Sequence, residues 1–286
     1  KKNAKRFAED HLWKKVAEKM DELYRLKTKT GDTPNNKIIE HIIENKIPCI
    51  FVSPHLDDAI LSAGGLISHL ADKTEVKIVN VFTRGSKPPY TLSAKRFLSQ
   101  CGQENAEILF QDRIIEDSNL FASLNIESIN LGFIDGAFRK YNNPSKIRIF
   151  LGKFISEFLH IYPIHRINIT SNRISPSDYE MMLNIKTELR KLTSEMKEFY
   201  IFCPFATDTH IDHVIVRKIC SDTFKRVVLW SDYPYFKNVS HKMKADFIWD
   251  KNRQDKERLI SGYKSQIKIL FPKEKIELRS ESYYIK

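Results

Sequence analysis

Short apolar runs alternate with helical stretches along most of this chain, and that alternation limits its possible folds more than any other feature. The runs CIFVS (49–53), EVKIVNVFT (75–83), SINLGF (128–133), INIT (167–170), FYIFCP (199–204) and RVVLWS (226–231) are strand-sized and rich in β-branched and aromatic residues. Apolar residues recur at helical spacing between them, over 60–71, 103–125, about 145–161, about 178–197 and about 211–224. Strands separated by helices build parallel β-α-β units. The expected fold is therefore α/β, a Rossmann-like three-layer sandwich with a mainly parallel sheet. Sites in such sheets gather beyond the carboxyl ends of the strands.

The ends read as helical decorations. Residues 4–27 place Ala8, Leu12, Val16, Met20 and Leu23 on one helical face, and the turn GDTPNN (31–36) closes the helix. A short helical stretch, KIIEHIIENK, follows. No repeat, low-complexity block or linker interrupts the 286 residues, which predicts a single domain with 1–36 as a peripheral helix and turn. No apolar stretch approaches the roughly 18 to 20 residues a membrane span needs. The first residues are too charged for a secretory h-region, and because the chain begins at Lys1 rather than Met, a removed leader stays open.

Composition narrows the partners. Cys49, Cys101, Cys203 and Cys220 are far apart with no C-x-x-C pair, which argues against a thiolate zinc site or a disulfide framework. Buried free thiols and a cytoplasmic location are expected. The net charge of +11 sits mostly at the ends: residues 1–30 and 251–286 each hold ten Lys/Arg against five Asp/Glu. No nucleic-acid-binding motif accompanies this charge, so it is read as host composition and no nucleic-acid partner is expected.

Two clusters carry chemistry. SPHLDDAILSAGG (53–65) sets His55, Asp57 and Asp58 between the first sheet strand and a helix. An imidazole and a carboxylate three residues apart can converge on one ion, and a neighbouring carboxylate cannot be buried without compensation. The bland alternative is that one aspartate caps the helix. DTHIDHVIVRK (208–218) sets His210, Asp212 and His213 after another strand and at the start of another helix. Together the clusters offer the two imidazoles and one carboxylate of a catalytic zinc site, with one position open for water. Acid and base groups are left over, as amide hydrolysis requires.

The two clusters resemble the signatures of the PIG-L/LmbE-like family, H-P-D-D and H-x-D-H, which stand here as His55-Leu56-Asp57-Asp58 and His210-Ile211-Asp212-His213. The resemblance extends over about 49–271, with weaker echoes at 113–125, 131–139, 232–235 and 262–271. Leu56 and Ile211 replace the usual prolines, and Ala59 stands where a Glu often follows. The resemblance implies a de-N-acetylase with His55, Asp58 and His213 as ligands of zinc or another divalent metal. Asp57 would be the general base, His210 would stabilise the oxyanion or protonate the amine, and Asp212 would orient His210. Arg113 and Asp135 match positions that touch the sugar in relatives. The implied substrate is an N-acetylated amino sugar or glycoconjugate, anionic ones included. The rivals are an amidase for a larger acyl or thiol conjugate and a catalytically silent carbohydrate-binding protein.

Overall fold

The computed structural model describes residues 37–206, 210–234, 244–271, 276 and 278–286. The expected N-terminal helix at 4–27 lies outside these residues. Seven strands form one sheet: β1 (Cys49–Ser53), β2 (Val76–Arg84), β3 (Glu127–Ile134), β4 (Tyr200–Pro204), β5 (Val227–Trp230), β6 (Phe247–Trp249) and β7 (Glu281–Ile285). Their order is β3-β2-β1-β4-β5-β7-β6. The first five strands in that order run parallel, and β7 is antiparallel to both β5 and β6. The fold is thus the expected α/β sandwich with a mostly parallel sheet.

Both faces of the sheet are covered because its central strands are apolar on both sides. Phe51 and Phe202 point to one face, packing with Ala63, Leu66 and Ile67 of helix α2 (Asp58–Leu70). Ile50, Val52, Ile201 and Cys203 point to the other, against helices α6 (Tyr179–Leu192) and α7 (Ile211–Thr223). The Phe51 and Phe202 rings stack at 4.5 Å and 13°, fastening β1 to β4. Burying one such ring stabilises the fold by roughly 1.5–3 kcal/mol. Helix α2 is apolar nearly all round and is buried over almost its whole length. Its glycines let the C-terminal strand approach: the Gly65 and Leu66 amides donate to the Glu281 carboxylate at 2.8 and 3.1 Å. A Cβ on Gly65 would stand 2.8 Å from the Lys251 carbonyl oxygen.

Most expected elements occur within a few residues of their expected bounds. Helix α1 (Lys37–Glu44) matches the short helical stretch, and α4 (Ala106–Ala122) matches the long pattern at 103–125. The pattern at 145–161 divides into α5 (Lys146–Gly152) and a 3₁₀ turn (Ser156–Leu159). INIT (167–170) is not a strand; residues His165–Ile169 form a π-helical turn. Ile169 is fully buried while Ile167 is 66% exposed, an alternation that a short turn produces as readily as a strand. Helix α3 (Leu92–Gln100) and strands β6 and β7 were not foreseen. The C-terminal decoration therefore combines helices α8 (Arg253–Ile260) and α9 (Lys264–Leu270) with two strands. Cys49, Cys203 and Cys220 are buried free thiols, whereas Cys101 is only partly buried. Among the described residues, no helix is long and apolar enough to cross a membrane.

A buried carboxylate ties α4 to the sheet. Asp117 accepts 2.8 Å hydrogen bonds from Asn80 of β2, Ser128 of β3 and the Tyr263 hydroxyl. Burial pushes its pKa from 3.8 to about 6, in spite of these donors. Between those two values the native state keeps a proton that the unfolded chain has released, so stability falls as pH rises through this window. The expected loss is about 3 kcal/mol. Denaturant unfolding measured across this range should show that slope in the native sequence and lose it in Asp117→Asn. An equal slope in both proteins would assign the pH dependence to other groups.

Candidate active site

The sheet changes direction between β1 and β4. From β1 the chain steps outward through β2 to β3, then returns to the other side of β1 to form β4. A crevice must open at such a switch point, beyond the carboxyl ends of the strands. His55, Asp57 and Asp58 follow β1, and His210, Asp212 and His213 lie beyond β4. Asp135 follows β3, and Asp232 lies two residues past β5.

Local structure weighs against the simple capping alternative. Asp57 occupies the N-cap position of α2, yet its side chain makes no capping hydrogen bond. Its Oδ1 instead accepts from Arg113 Nη2 at 2.8 Å. At α7 the N-cap is His210, whose Nδ1 accepts the Asp212 amide at 3.3 Å. A neutral His210 accepting there carries its proton on Nε2.

Asp58 joins the two clusters. Its Oδ2 lies 3.0 Å from His55 Nδ1 and 3.1 Å from His213 Nε2. Donor atoms of His55, Asp58 and His213 all fall within 4.8 Å of one another, and all three residues are buried. Each imidazole has a carboxylate on its far side. His213 Nδ1 is 2.6 Å from Asp232 Oδ1, and His55 Nε2 is 3.2 Å from Asp212 Oδ2. Such outer carboxylates fix the tautomer and orientation of a metal-ligating histidine. A second, overlapping group is formed by His55, Asp135, His210 and Asp212.

Asp212 is held mainly by groups other than His210. Arg139 Nη2 donates to its Oδ1, and the Gly136 amide donates to Oδ2 at 2.8 Å. His210 Nδ1 is farther away, at 3.6 Å. Arg139 also donates to Asp178 at 2.9 Å, and the Tyr162 hydroxyl reaches the same carboxylate oxygen at 2.7 Å. Asp135 places Oδ2 3.4 Å from His55 Nε2 while its Oδ1 accepts the Ala137 amide. Arg113, expected to touch the sugar, is 3% exposed and paired with Asp57. Sequence reading gave no role to Asp232, Arg139, Asp178 or Tyr162. Asp232 and Arg139 lie in the echoes at 232–235 and 131–139, but only the folded chain brings them to the histidines.

The electrostatics of this web favour a cation. Asp57, Asp58, Asp135, Asp178, Asp212 and Asp232 are each at most 6% exposed, and two buried guanidinium groups, Arg113 and Arg139, oppose them. Burial disfavours charge on His213, but the Asp58 charge and the Asp232 hydrogen bond raise its pKa to about 10. Burial likewise opposes a charged His55, yet its hydrogen bonds to the Asp212 and Asp58 carboxylates hold its pKa well above the ordinary value. Burial opposes ionisation of Asp58, and the His213 charge nonetheless keeps its pKa well below the usual carboxylate range. This is a cage that attracts positive charge, and its imidazole and carboxylate donors suit a divalent metal.

Acid, base and ligand-type side chains thus gather at the switch point of an α/β sheet. The sequence pattern of the GlcNAc-PI de-N-acetylase family matches residues 50–224, and the chain belongs to this PIG-L family. A deacetylase of teicoplanin biosynthesis, solved as a bog complex, superposes with a TM-score of 0.62 at 23% identity, covering 78% of this chain and 86% of its own. A deacetylase–teicoplanin complex gives 0.63 at 21% identity, covering 84% and 99%. The A40926 pseudoaglycone deacetylase gives 0.56 at 19% identity, covering 79% and 84%. Likeness at these identities establishes the shared fold. No curated protein sequence matches the chain.

Arg139 neutralises two buried carboxylates at once, so removing it should be costly. Arg139→Met should destabilise the protein by about 3–5 kcal/mol, because Asp178 and Asp212 lose their countercharge. Arg139→Lys should recover only part of this, since a point-like ammonium cannot reproduce the guanidinium fork. Chemical denaturation checks both, and a Lys variant as stable as the native protein would deny the bridging role.

Proposed function

We propose that this chain is a zinc-dependent hydrolase that removes the acetyl group from an N-acetylated amino sugar or its conjugate, releasing acetate. The observation that carries this reading is the convergence of His55, Asp58 and His213, with both imidazoles backed by carboxylates and Asp57 and His210 beside them. A teicoplanin deacetylase of similar fold is described in a zinc-inhibited form, so zinc acts on at least one protein of this architecture. Family membership adds the amino-sugar amide as the bond class.

His55, Asp58 and His213 would hold the ion. Once bound, it would lower the pKa of water and polarise the amide carbonyl. Arg113 holds one oxygen of Asp57, leaving the other to take the proton as the water oxygen bonds to the acetyl carbon. His210, with 20% of its side chain exposed, lies nearer the solvent side than its buried neighbours. From Nε2–H it would stabilise the developing oxyanion by donating a hydrogen bond, and Asp57 would return the proton taken from the water to the amine as the C–N bond breaks. Asp135 would accept from a sugar hydroxyl, and Arg113 would act through Asp57 as a positioning residue. Asp212 would orient His55 through their direct contact as well as His210 through the helix cap.

The central test is mass-spectrometric detection of acetate and free amine from a panel of N-acetylated amino sugars, phosphorylated ones included, with zinc-loaded protein. Release by the native protein and not by Asp57→Asn supports the reading; no difference between them across the panel removes it. Asp57→Asn should keep its metal while turnover drops by about 10²- to 10⁴-fold. Asp58→Asn should lower the bound metal measured by elemental analysis, because an amide is a poorer ligand than a carboxylate. Equal metal loss in the two variants would refute the division between base and ligand.

A further inference from the structure

Between Arg139 and Tyr162 the chain leaves the body of the protein and returns to it. The Tyr141 amide donates to the Leu159 carbonyl, and the Ile161 amide to the Arg139 carbonyl, both at 3.0 Å. Arg139 and Tyr162 are its two feet, both hydrogen-bonded to Asp178. The excursion is thus rooted directly in the candidate active site, and it carries α5 and the following 3₁₀ turn.

Its outer surface is unusually apolar. Ile147, Ile149, Phe150, Phe154, Ile155 and Phe158 are between 38% and 76% exposed. With Ile164 and Ile167 just beyond, this stretch holds eight of the fourteen exposed large apolar side chains found among the described residues. Scattered exposure is ordinary, but such a concentration marks an interaction surface. The Phe150 and Phe154 rings lie 5.7 Å apart, and Leu92, 75% exposed, is joined to the excursion by its amide hydrogen bond to Glu157.

The charges around this surface are almost all positive. Between its two feet, residues 140–161 contain Lys140, Lys146, Arg148 and Lys153 against one acidic residue, Glu157. Glu157 is already engaged, accepting the Leu92 amide at 2.8 Å. Lys95 and Lys153 line an open cleft together with Pro89, Ile149 and Phe154, so cations and apolar groups share one surface. A second copy of this chain is a poor occupant, because a twofold contact would bring Lys146 and Lys153 toward their counterparts. An anionic bilayer fits both features: headgroups meet the cations, and short aromatic and branched side chains enter the acyl boundary without needing a matched partner surface.

We propose that the excursion between Arg139 and Tyr162 is an interfacial docking surface for anionic membranes. This does not depend on the reaction assigned above, since binding can be measured without substrate or metal. Full-length protein is sedimented with vesicles of phosphatidylcholine alone or mixed with phosphatidylglycerol. The native protein should bind the mixed vesicles preferentially, and salt should weaken that binding. Lys146→Ala/Lys153→Ala should weaken it by about thirty-fold, and Phe150→Ser/Phe154→Ser by at least about tenfold. Melting curves should stay near the native one, because these side chains are exposed. Failure to bind, no preference for the anionic mixture, or equal binding by native and Phe-substituted proteins would overturn the proposal. So would a native dimer in sedimentation velocity that the Phe substitutions abolish, which would make the surface an interface between copies.

Discussion

Asp58 lies between two imidazoles that belong to opposite sides of the switch point, and much of the surrounding architecture answers to the charge gathered there. Six buried carboxylates occupy the carboxyl edge of the sheet or the loops that reach it, and two guanidinium groups only partly balance them. Burying an uncompensated carboxylate is too unfavourable to persist unless something positive meets it. Arg113 holds one carboxylate in place and Arg139 holds two, and the histidines supply further contacts. What remains is a demand for positive charge at the point where His55, Asp58 and His213 converge. A site that attracts a cation and a site that orients acid–base groups are here the same structure.

The sheet makes this convergence rigid. His55 and Asp212 are 157 residues apart in sequence, yet their side chains touch because β1 and β4 are adjacent parallel strands. The Phe51–Phe202 stack and the buried α2 helix hold that adjacency from one face, and α7 holds it from the other. Glycine has a specific use at Gly136. Its amide donates to Asp212, and a Cβ there would come within 3.3 Å of Ile211, Asp212 and His210. Close approach of backbone to carboxylate is what keeps Asp212 facing His55.

The family pattern ends at residue 224, before two features that complete the structure. Asp232, the partner of His213, follows β5, and the antiparallel strands β6 and β7 extend the sheet beyond it. Glu281 of β7 reaches into α2 and receives Lys256, so the C-terminal segment supports the helix that begins at Asp58. The last part of the chain thus buttresses chemistry laid down by the first.

The alternation of strand and helix patterns, and the two motifs placed after strands, were legible in the sequence because they are local. A five-residue apolar run such as CIFVS and an H-x-D-D turn need no distant partner to be recognised. Local signals failed where a partner decides the outcome. INIT has strand-like alternation but forms a π-helical turn, whereas FIW becomes a strand by pairing with the C-terminal residues. Asp212 shows what local spacing leaves out within the site. Besides its neighbour His210, Arg139, Gly136 and His55 come to it from elements distant in the chain. The sequence by itself determined which chemical groups follow which strands. Only the tertiary structure decided which carboxylate backs which imidazole, because hydrogen bonds and charge compensation depend on distances across the sheet rather than spacing along the chain.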